Sequence, residues 1–285
     1  MLITMFEPVR QETKSTIVSS SEEEESTKSS LVKDDQKTTI WEIVSFLFTD
    51  AHTALLLLGA SVRYMGGYAI AGYLPTFYES KWPAKTATYS EINAFVVAMG
   101  GFLSSFLGGK LTTAWLESRN SSNASERWPG AKKANYYMPI IGCLSAIPFM
   151  LITLYSNNFY VSLCVGLLGE YLTAESWFGP YMSALTAGVP SEMRATAVAT
   201  MMFTATFMGS LTSYVIGTLY DFFVDDKGDD SAKVLTWLLL ASVVGAYTIS
   251  AQLFFAASRF APQQKRGVSN EMLTEKTSLL DEEGA

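Results

Sequence analysis

The sequence predicts an all-α integral membrane protein, and three observations support that prediction. Apolar stretches recur at about the 20-residue length that a helix needs to cross a hydrocarbon core roughly 30 Å thick. Charged residues make up 16% of the 285 residues, whereas soluble proteins average about 25%. The chain has a net charge of −7, and this acidic excess lies in its two ends, since residues 51–260 contain twelve acidic and twelve basic residues. A neutral, apolar middle is typical of a membrane domain.

Six stretches reach the length of a membrane span, with approximate limits of 55–78, 92–115, 136–156, 159–187, 195–220 and 234–257. We therefore expect a six-helix transmembrane domain over residues 39–258 and a cytosolic C-terminal tail over residues 259–285. Residues 1–38 are rich in Ser, Thr and Glu and lack the apolar surface that stabilises a fold, so we expect a disordered cytosolic tail. Residues 39–48 have an apolar helical face, which fits either a helix on the membrane surface or an extension of the first span.

The loops between the spans differ in Lys and Arg content, and these residues collect in loops on the cytosolic side of a membrane. Eight of them fall on one side, namely Arg119, Arg127, Lys132, Lys133, Arg194, Arg259, Lys265 and Arg266. Four fall on the other side, namely Lys81, Lys85, Lys227 and Lys233. The difference predicts that both termini are cytosolic. The glycosylation sequons at Asn120 and Asn123 then lie in a cytosolic loop, where they go unused.

The chain lacks the residue patterns of soluble enzymes and of nucleic-acid-binding proteins. His52 is the only histidine, which excludes His-based zinc sites and Ser-His-Asp hydrolysis. No glycine-rich phosphate loop follows a strand pattern, and no basic stripe could neutralise nucleic-acid phosphates. The acidic residues between 221 and 230 lack the order of a calcium-binding loop. We expect no enzyme activity, no catalytic residue, no cofactor, no metal and no nucleic-acid partner, and we expect the lipid bilayer as the surrounding partner.

Residues 189–221 contain a spaced set of proline, glycine and charged residues: Val189, Pro190, Arg194, Ala197, Ala199, Gly209, Ser210, Gly217, Leu219 and Asp221. This set resembles spans ten and eleven of major facilitator superfamily transporters, and it is most similar to the spinster branch. The segments RYMGGYAIAGYLPTFYE from Arg63 and INAFVVAMGGFLSSFLGGKL from Ile92 agree with that resemblance. The likeness extends over about residues 45–258 and covers the second half of such a transporter. It gives structural roles in the family motif to Pro190, Arg194, Gly217 and Asp221.

The resemblance implies a six-helix half-bundle of the major facilitator type, which belongs to a secondary active transporter of a small organic or lysolipid-type solute working by alternating access. Residues 1–38 would then correspond to the linker between two halves. The chain departs from the family's GxLxD pattern, because Gly109 and Leu111 are followed by Thr113 instead of aspartate. A missing N-terminal half, a second copy of this chain or a larger membrane complex are the partners that a half-transporter implies. The alternative is a non-transporting subunit or scaffold that retains the same fold.

Three ionisable residues lie deep inside the predicted spans, where such groups need a partner or a water-filled cavity. Arg63 lies roughly 12 Å from the cytosolic end of the first span, at about 1.5 Å per residue. In the fourth span Glu175 lies roughly 18 Å and Glu170 roughly 25 Å from the same side. An arginine side chain can reach Glu175 across the difference of about 6 Å, but not Glu170. We expect Arg63 and Glu175 to pair, either to handle an anionic substrate group or a proton or to lock two helices, and we place Glu170 on the same pathway.

The segment SWFGP, residues 176–180, predicts a break in the fourth helix. Pro180 removes one backbone hydrogen bond, and Gly179 lowers the helix propensity further. The break fits the hinge of a gate, with Trp177 facing the cavity as a residue of the substrate pathway, and it fits equally a kink that serves only packing.

Glu275, Leu279 and Leu280 in the tail resemble an acidic dileucine sorting signal. Such a signal directs membrane proteins to endolysosomal or vacuolar membranes. The plasma membrane is the other location that we expect.

The predicted topology can be tested at the termini and at the two sequons. In sealed vesicles with the cytosolic face outward, added protease should digest tags at both termini, because the basic loops stay in the cytosol. Endoglycosidase should leave the electrophoretic mobility unchanged, since Asn120 and Asn123 never reach the glycosylation machinery. Protection of either tag, or a mobility shift that is lost in Asn120→Gln with Asn123→Gln, would reverse the topology.

Overall fold

The computed structural model describes residues 40–118, 133–226 and 230–261, whose regular structure is helical. The α-helices in chain order are α1 (Ile40–Thr49), α2 (Ala51–Lys81), α3 (Thr86–Glu117), α4 (Ala134–Tyr155), α5 (Leu168–Ala174), α6 (Phe178–Ala187), α7 (Arg194–Asp221) and α8 (Ser231–Arg259). Short 3-10 turns occupy Pro83–Lys85, Glu175–Trp177 and Ser191–Met193, and π-helical segments occupy Val161–Leu167 and Phe222–Asp226. Outside the described residues lie the segment 1–38, the sequons at Asn120 and Asn123, and the sorting signal of Glu275, Leu279 and Leu280.

Five helices of the described residues are long and apolar enough to cross a membrane: Ala51–Lys81, Pro83–Glu117, Ala134–Tyr155, Ser191–Val224 and Ser231–Arg259. The stretch predicted as the fourth span forms four consecutive helical segments over residues 161–187, which together are called the broken helix. It consists of the first π-helical segment, α5, the second 3-10 turn and α6. At about 1.5 Å per residue the broken helix is roughly 40 Å long, which exceeds the thickness of the hydrocarbon core. The fold is thus an all-α bundle with six segments of membrane-spanning length.

Asp50 separates α1 from α2. Its Oδ2 accepts a hydrogen bond from the Thr53 N–H at 2.9 Å and another from the Thr53 hydroxyl at 2.7 Å. A side chain that accepts the free N–H groups at a helix start stabilises that start. Leu47 of α1 is fully buried. Residues 40–49 therefore form a separate helix that packs on the bundle, and they do not simply extend α2.

The helices α2 and α8 pack closely because glycines of α2 leave room for aromatic rings of α8. A Cβ atom at Gly59 would lie 2.8 Å from Cε1 of Phe254, and one at Gly66 would lie 2.6 Å from Cε1 of Tyr247. Both rings are fully buried. Small residues allow membrane helices to approach each other in this way. The α2–α8 contact fixes Tyr247 against the middle of α2.

Short polar contacts tie the bundle together at both of its ends. Lys81 at the end of α2 donates hydrogen bonds from Nζ to the carbonyl oxygens of Leu154 at 2.7 Å and Ser156 at 2.9 Å. At the other end of α2, Nε2 of His52 lies 2.7 Å from the hydroxyl of Tyr136. These contacts join α2 to the end and the start of α4, and the site described below lies between them along α2.

Gly66→Ala should destabilise the bundle, because the new Cβ atom would lie 2.6 Å from the Tyr247 ring and would push the ring or the helix aside. We expect a loss of about 1–3 kcal/mol in the free energy of unfolding, as for other overpacked cores. Thermal unfolding in detergent measures this loss as a lower Tm. The matched control is Gly245→Ala in α8, where the added Cβ atom meets nothing within 4 Å and alanine favours the helix. The same Tm for both variants would contradict the packing.

Candidate functional site

Arg63 lies where α2, the broken helix and α8 meet, and its side chain is 3% exposed. Its Nη2 lies 3.5 Å from Oε1 of Glu175 and donates a hydrogen bond to the carbonyl oxygen of Ala174 at 3.3 Å. The contact between Arg63 and Glu175 that the depth of the two residues predicts is therefore present. The Glu175 side chain is 38% exposed, so the ion pair joins a buried cation to a carboxylate that is open to its surroundings. The role of the pair in handling substrate or protons stays a prediction.

Two aromatic rings flank the guanidinium group of Arg63. Its Cζ atom lies 4.0 Å from the ring centroid of Tyr247 and 5.8 Å from that of Trp177. Ring faces stabilise a cation that has lost its water, but they do not replace its hydrogen bonds. The Nε atom of Arg63 is buried without a hydrogen-bond partner among the described residues. Because a guanidinium group carries five N–H donors, Arg63 retains the capacity to bind a further acceptor, such as an anionic oxygen.

Tyr247 connects Arg63 to the second glutamate of the broken helix. The Tyr247 hydroxyl donates a hydrogen bond to Oε1 of Glu170 at 2.6 Å. Glu170 is 2% exposed, and Tyr247 is fully buried. The depth estimate places Glu170 beyond the reach of Arg63, and in the structure its hydrogen bond comes from the tyrosine whose ring covers the arginine. The three charged side chains and Tyr247 thus form one cluster of polar groups inside the bundle.

Trp177 is enclosed by other aromatic side chains and is 3% exposed. Its ring stacks on Phe254 with centroids 6.0 Å apart, and it packs against Tyr64 at 5.8 Å and Tyr181 at 5.1 Å. The expectation that Trp177 faces an open cavity is not met, because these rings fill the space around it. Its place on the substrate pathway stays a prediction that rests on its position beside Arg63.

The break in the fourth span falls at Glu175–Trp177, where a 3-10 turn separates α5 from α6. Pro180 cannot donate an N–H to the carbonyl oxygen of Ser176, one turn earlier. A Cβ atom at Gly108 of α3 would lie 2.6 Å from that same carbonyl oxygen, so α3 approaches the backbone of the break closely. Gly179 is exposed, with no atom near the position of a Cβ. The predicted interruption is present and carries Glu175, and its action as a hinge stays a prediction.

The four residues of the family motif lie along α7 and just before it. Pro190 precedes the 3-10 turn that leads into α7. Arg194 is the first residue of α7 and Asp221 the last, and both are exposed. A Cβ atom at Gly217 would lie 2.7 Å from the hydroxyl of Tyr73. Three of the four therefore mark the start or the end of α7, and Gly217 allows α2 to approach α7.

Tyr247 is the member of the cluster that sequence analysis misses. A tyrosine within an apolar span is usually part of the core, and nothing in the order of residues places it beside an arginine in a helix nearly two hundred positions away. The one local signal is Gly66, which follows Arg63 by about one turn of α2 and lies on the same face. Such a glycine indicates that a large group approaches the arginine, but it does not say which one.

Two solved structures share the arrangement of these helices. A bacterial homologue of the human lysosomal transporter Spinster, in an inward-facing and unoccupied conformation, aligns with a TM-score of 0.60 and 19% identity, over 80% of this chain and 52% of that one. An inward-facing and occupied form of a bacterial Spinster homologue aligns with a TM-score of 0.52 and 18% identity, over 75% and 50% of the two chains. The chain has the major facilitator fold. No family model matches the chain, and no curated protein matches it by sequence, so the likeness lies in the arrangement of the helices.

The chain spans about half the length of the solved structures that it matches. A major facilitator transporter consists of two six-helix halves related by a pseudo-two-fold axis along the membrane normal. The six membrane-length segments described above correspond to one such half-bundle. The resemblance seen in the sequence motifs and the likeness seen in the helices therefore agree on the fold.

The two partners of the ion pair should tolerate replacement unequally. Arg63→Ala leaves Glu175, which is partly exposed and can become neutral by taking up a proton, whereas Glu175→Gln leaves a buried guanidinium that keeps its charge. We expect Glu175→Gln to lower the abundance of the protein several-fold and Arg63→Ala to lower it less. Abundance in membranes, measured by quantitative immunoblotting, tests this order.

The double variant Arg63→Ala with Glu175→Gln should recover abundance, because the guanidinium group is gone and the remaining buried carboxyl group, Glu170, can become neutral by taking up a proton. The matched control is Lys233→Ala, which removes an exposed pair with Asp230 at 3.8 Å and should change little. Additive losses in the double variant would mean that Arg63 and Glu175 are not partners.

Proposed function

We propose that the chain is part or all of a secondary active transporter that moves a small organic or lysolipid-type solute by alternating access. The observation that supports this proposal best is the incompletely bonded Arg63. A buried cation with one long contact to a partly exposed carboxylate, and with an N–H that lacks a partner, can exchange that carboxylate for an anionic group of a substrate. Ionisable residues inside membrane spans usually mark substrate or ion pathways, and the fold is the one seen in the Spinster homologues.

The exchange that we propose has a simple geometry. Glu175 occupies one N–H of Arg63 at 3.5 Å, which is longer than the 2.7–2.9 Å that is typical of strong N–H to carboxylate bonds. A substrate phosphate or carboxylate would compete for this donor. Glu175 would then turn outward, which its exposure permits. The substrate would leave when the carboxylate returns.

Alternating access needs a place where a helix can bend beside the bound substrate. The 3-10 turn at Glu175–Trp177 lies in the same helix as Glu170 and Glu175, and it interrupts the helix at the residue that pairs with Arg63. The two π-helix and 3-10 irregularities of the broken helix have less favourable hydrogen-bond geometry than a regular α-helix. We therefore assign the hinge of the gate to this turn, with Gly179 and Pro180 directly after it.

We propose that a second six-helix unit covers α3 and α7, either a missing N-terminal half, a second copy of this chain or a subunit of a larger complex. Both helices bury one narrow stripe of side chains, and their other residues are half-buried or exposed. The exposed surface of α7 includes a polar stripe at intervals of four residues: Thr206, Ser210, Tyr214 and Thr218. Polar side chains inside a membrane usually face protein or a water-filled cavity instead of lipid. The stripe therefore favours a partner or a cavity on this side of the bundle.

We further propose that both termini are cytosolic and that the protein resides in endolysosomal or vacuolar membranes, with the plasma membrane as the other possible location. The Lys and Arg distribution supports the orientation. The dileucine motif at Leu279 and Leu280 supports the location. Integral membrane insertion itself follows from the long apolar helices of the described residues.

The alternative is a non-transporting subunit or scaffold that retains the half-bundle. The observation that favours it is Thr113, which stands where the family motif has an aspartate. In a scaffold, Arg63 and Glu175 would serve only to hold α2 against the broken helix. The double variant described above separates the two functions, because a scaffold would recover fully whereas a transporter would recover its abundance without its transport.

Transport can be tested with two probes that differ only in an anionic group, a lysophosphatidate and the monoacylglycerol with the same acyl chain. In vesicles from the native membrane, the protein should increase uptake of the lysophosphatidate and not of the monoacylglycerol, because only the former offers oxygens to Arg63. Arg63→Ala should lower this uptake by about tenfold or more after correction for abundance, since a charge-assisted hydrogen bond contributes about 1.5–3 kcal/mol. Vesicles from cells that lack the protein, and the Lys233→Ala variant, are the controls.

Two results would count against the proposal. Equal movement of both probes would mean that no anionic group is recognised. Movement of neither probe, with normal abundance and an intact cluster, would favour the scaffold.

A further inference from the structure

The two glutamates of the cluster lie in the same helix but in different environments. Glu175 is partly open and touches Arg63, whereas Glu170 is the one buried carboxyl group among the described residues. Glu170 accepts a hydrogen bond from the Tyr247 hydroxyl at 2.6 Å. It forms no ion pair with any of the described residues. A buried carboxyl group that is bound by a neutral donor can exist with or without a proton while keeping that bond. The environments of the two residues therefore suit different tasks.

We propose that Glu170 is a proton-binding site and that Tyr247 links its protonation to the state of Arg63. A proton from water adds to the Glu170 carboxylate and gives the neutral acid, and the same proton returns to water when the acid dissociates. Tyr247 donates to Oε1 in both forms, and it neither gains nor loses a proton. Glu175 has the separate task of exchanging with the anionic group of the substrate.

The net charge of the cluster determines how proton binding by Glu170 would influence substrate binding by Arg63. With Glu170 ionised, the single positive charge of Arg63 meets two negative charges, and the cluster carries −1. With Glu170 protonated, the charges of Arg63 and Glu175 cancel, and the cluster carries zero. An anionic substrate group is repelled less by the neutral cluster, so protonation of Glu170 should raise its affinity on the order of tenfold. This coupling rests on the proposed function, whereas proton binding by Glu170 does not.

Tyr247 is the physical link in this scheme, and it acts as a positioning residue. Its ring lies 4.0 Å from Cζ of Arg63, and its hydroxyl holds Glu170. The ring packs directly against the backbone of Gly66, where a Cβ atom would lie 2.6 Å from its Cε1. A change in the strength of the hydrogen bond to Glu170 therefore acts on the ring that covers the guanidinium group. The other titratable groups around the cluster are Tyr64 of α2, Tyr171 in the broken helix and Cys143 of α4.

Infrared difference spectroscopy of the purified full-length chain, with any subunit that copurifies, tests the proton site without a substrate. A change from alkaline to acidic pH should produce a carboxylic acid C=O band. Its acid proton should exchange slowly for deuterium in heavy water, since Glu170 is buried. Glu170→Gln keeps the size of the side chain and an acceptor for Tyr247, and it should abolish the band. Tyr247→Phe keeps the ring over Arg63 but removes the hydroxyl, so the band should shift to higher frequency because its hydrogen bond is lost.

Two variants serve as matched controls. Glu175→Gln changes the partly exposed glutamate, and the slowly exchanging band should still form once the pH is low enough. Ser250→Ala removes another buried hydroxyl of α8, one that donates to the carbonyl oxygen of Gly59 at 2.8 Å, and it should leave the frequency unchanged. A band that persists in Glu170→Gln, a band that is lost in Glu175→Gln at every acidic pH, or no pH-dependent band in the natural protein would overturn the proposal.

The uptake assay with lysophosphatidate then separates this proposal from the proposed function. Under an inward proton gradient, Glu170→Gln should lose the stimulation by the gradient, while exchange of labelled for unlabelled probe continues. Retained stimulation in this variant would overturn the coupling. A normal infrared band without any uptake would leave the proton site standing and remove the transport function.

Discussion

The burial of one guanidinium group sets the constraint that the rest of the bundle meets. Arg63 cannot lose its charge at accessible pH, and it lies in the middle of α2 with almost no exposure. The chain compensates with contacts from two other helices, an aromatic face from Tyr247 and a carboxylate from Glu175. Each contact depends on a further feature of the sequence. The ring requires a glycine at position 66, and the carboxylate lies in a turn that interrupts a membrane-spanning helix.

That interruption concentrates the irregular backbone of the bundle in one span. The five long helices are α-helical over most of their length, whereas residues 161–187 pass through π, α, 3-10 and α conformations. Irregular backbone inside a membrane is stable only where protein or water surrounds it. Gly108 of α3 and Gly142 of α4 meet this requirement, since Cβ atoms at these positions would lie 2.6 Å from the Ser176 carbonyl oxygen and 3.0 Å from that of Thr173. The break is therefore packed between α3 and α4, while the Glu175 carboxylate in it remains partly exposed.

The sequence was sufficient to predict the fold class, because apolar length and charge asymmetry are properties of each span by itself. It also predicted that Arg63 and Glu175 meet, since depth in a membrane is counted along each helix and does not require knowledge of how the helices are arranged. The role of Tyr247 could not be predicted, because it depends on which face of α8 packs against α2. The enclosure of Trp177 was missed for the same reason: three rings from α2, α6 and α8 surround it. Depth along a helix can be estimated from sequence, whereas the neighbours around a helix follow from tertiary packing.

The other polar contacts of the bundle show what a purely structural tie looks like in this protein. Ser250 reaches the carbonyl oxygen of Gly59 at 2.8 Å, Tyr78 and Ser162 lie 2.7 Å apart, and Lys81 donates at 2.7 Å. These contacts are short, and each joins residues of different helices or of a helix and its neighbouring loop. The contacts of Arg63 with Glu175 and Ala174 are longer, at 3.5 Å and 3.3 Å, and one of its donors is left over. Arg63, a buried cation, therefore lacks the short polar contacts that other residues of the bundle make. This difference favours a site whose partner is exchanged over a lock whose partner is fixed.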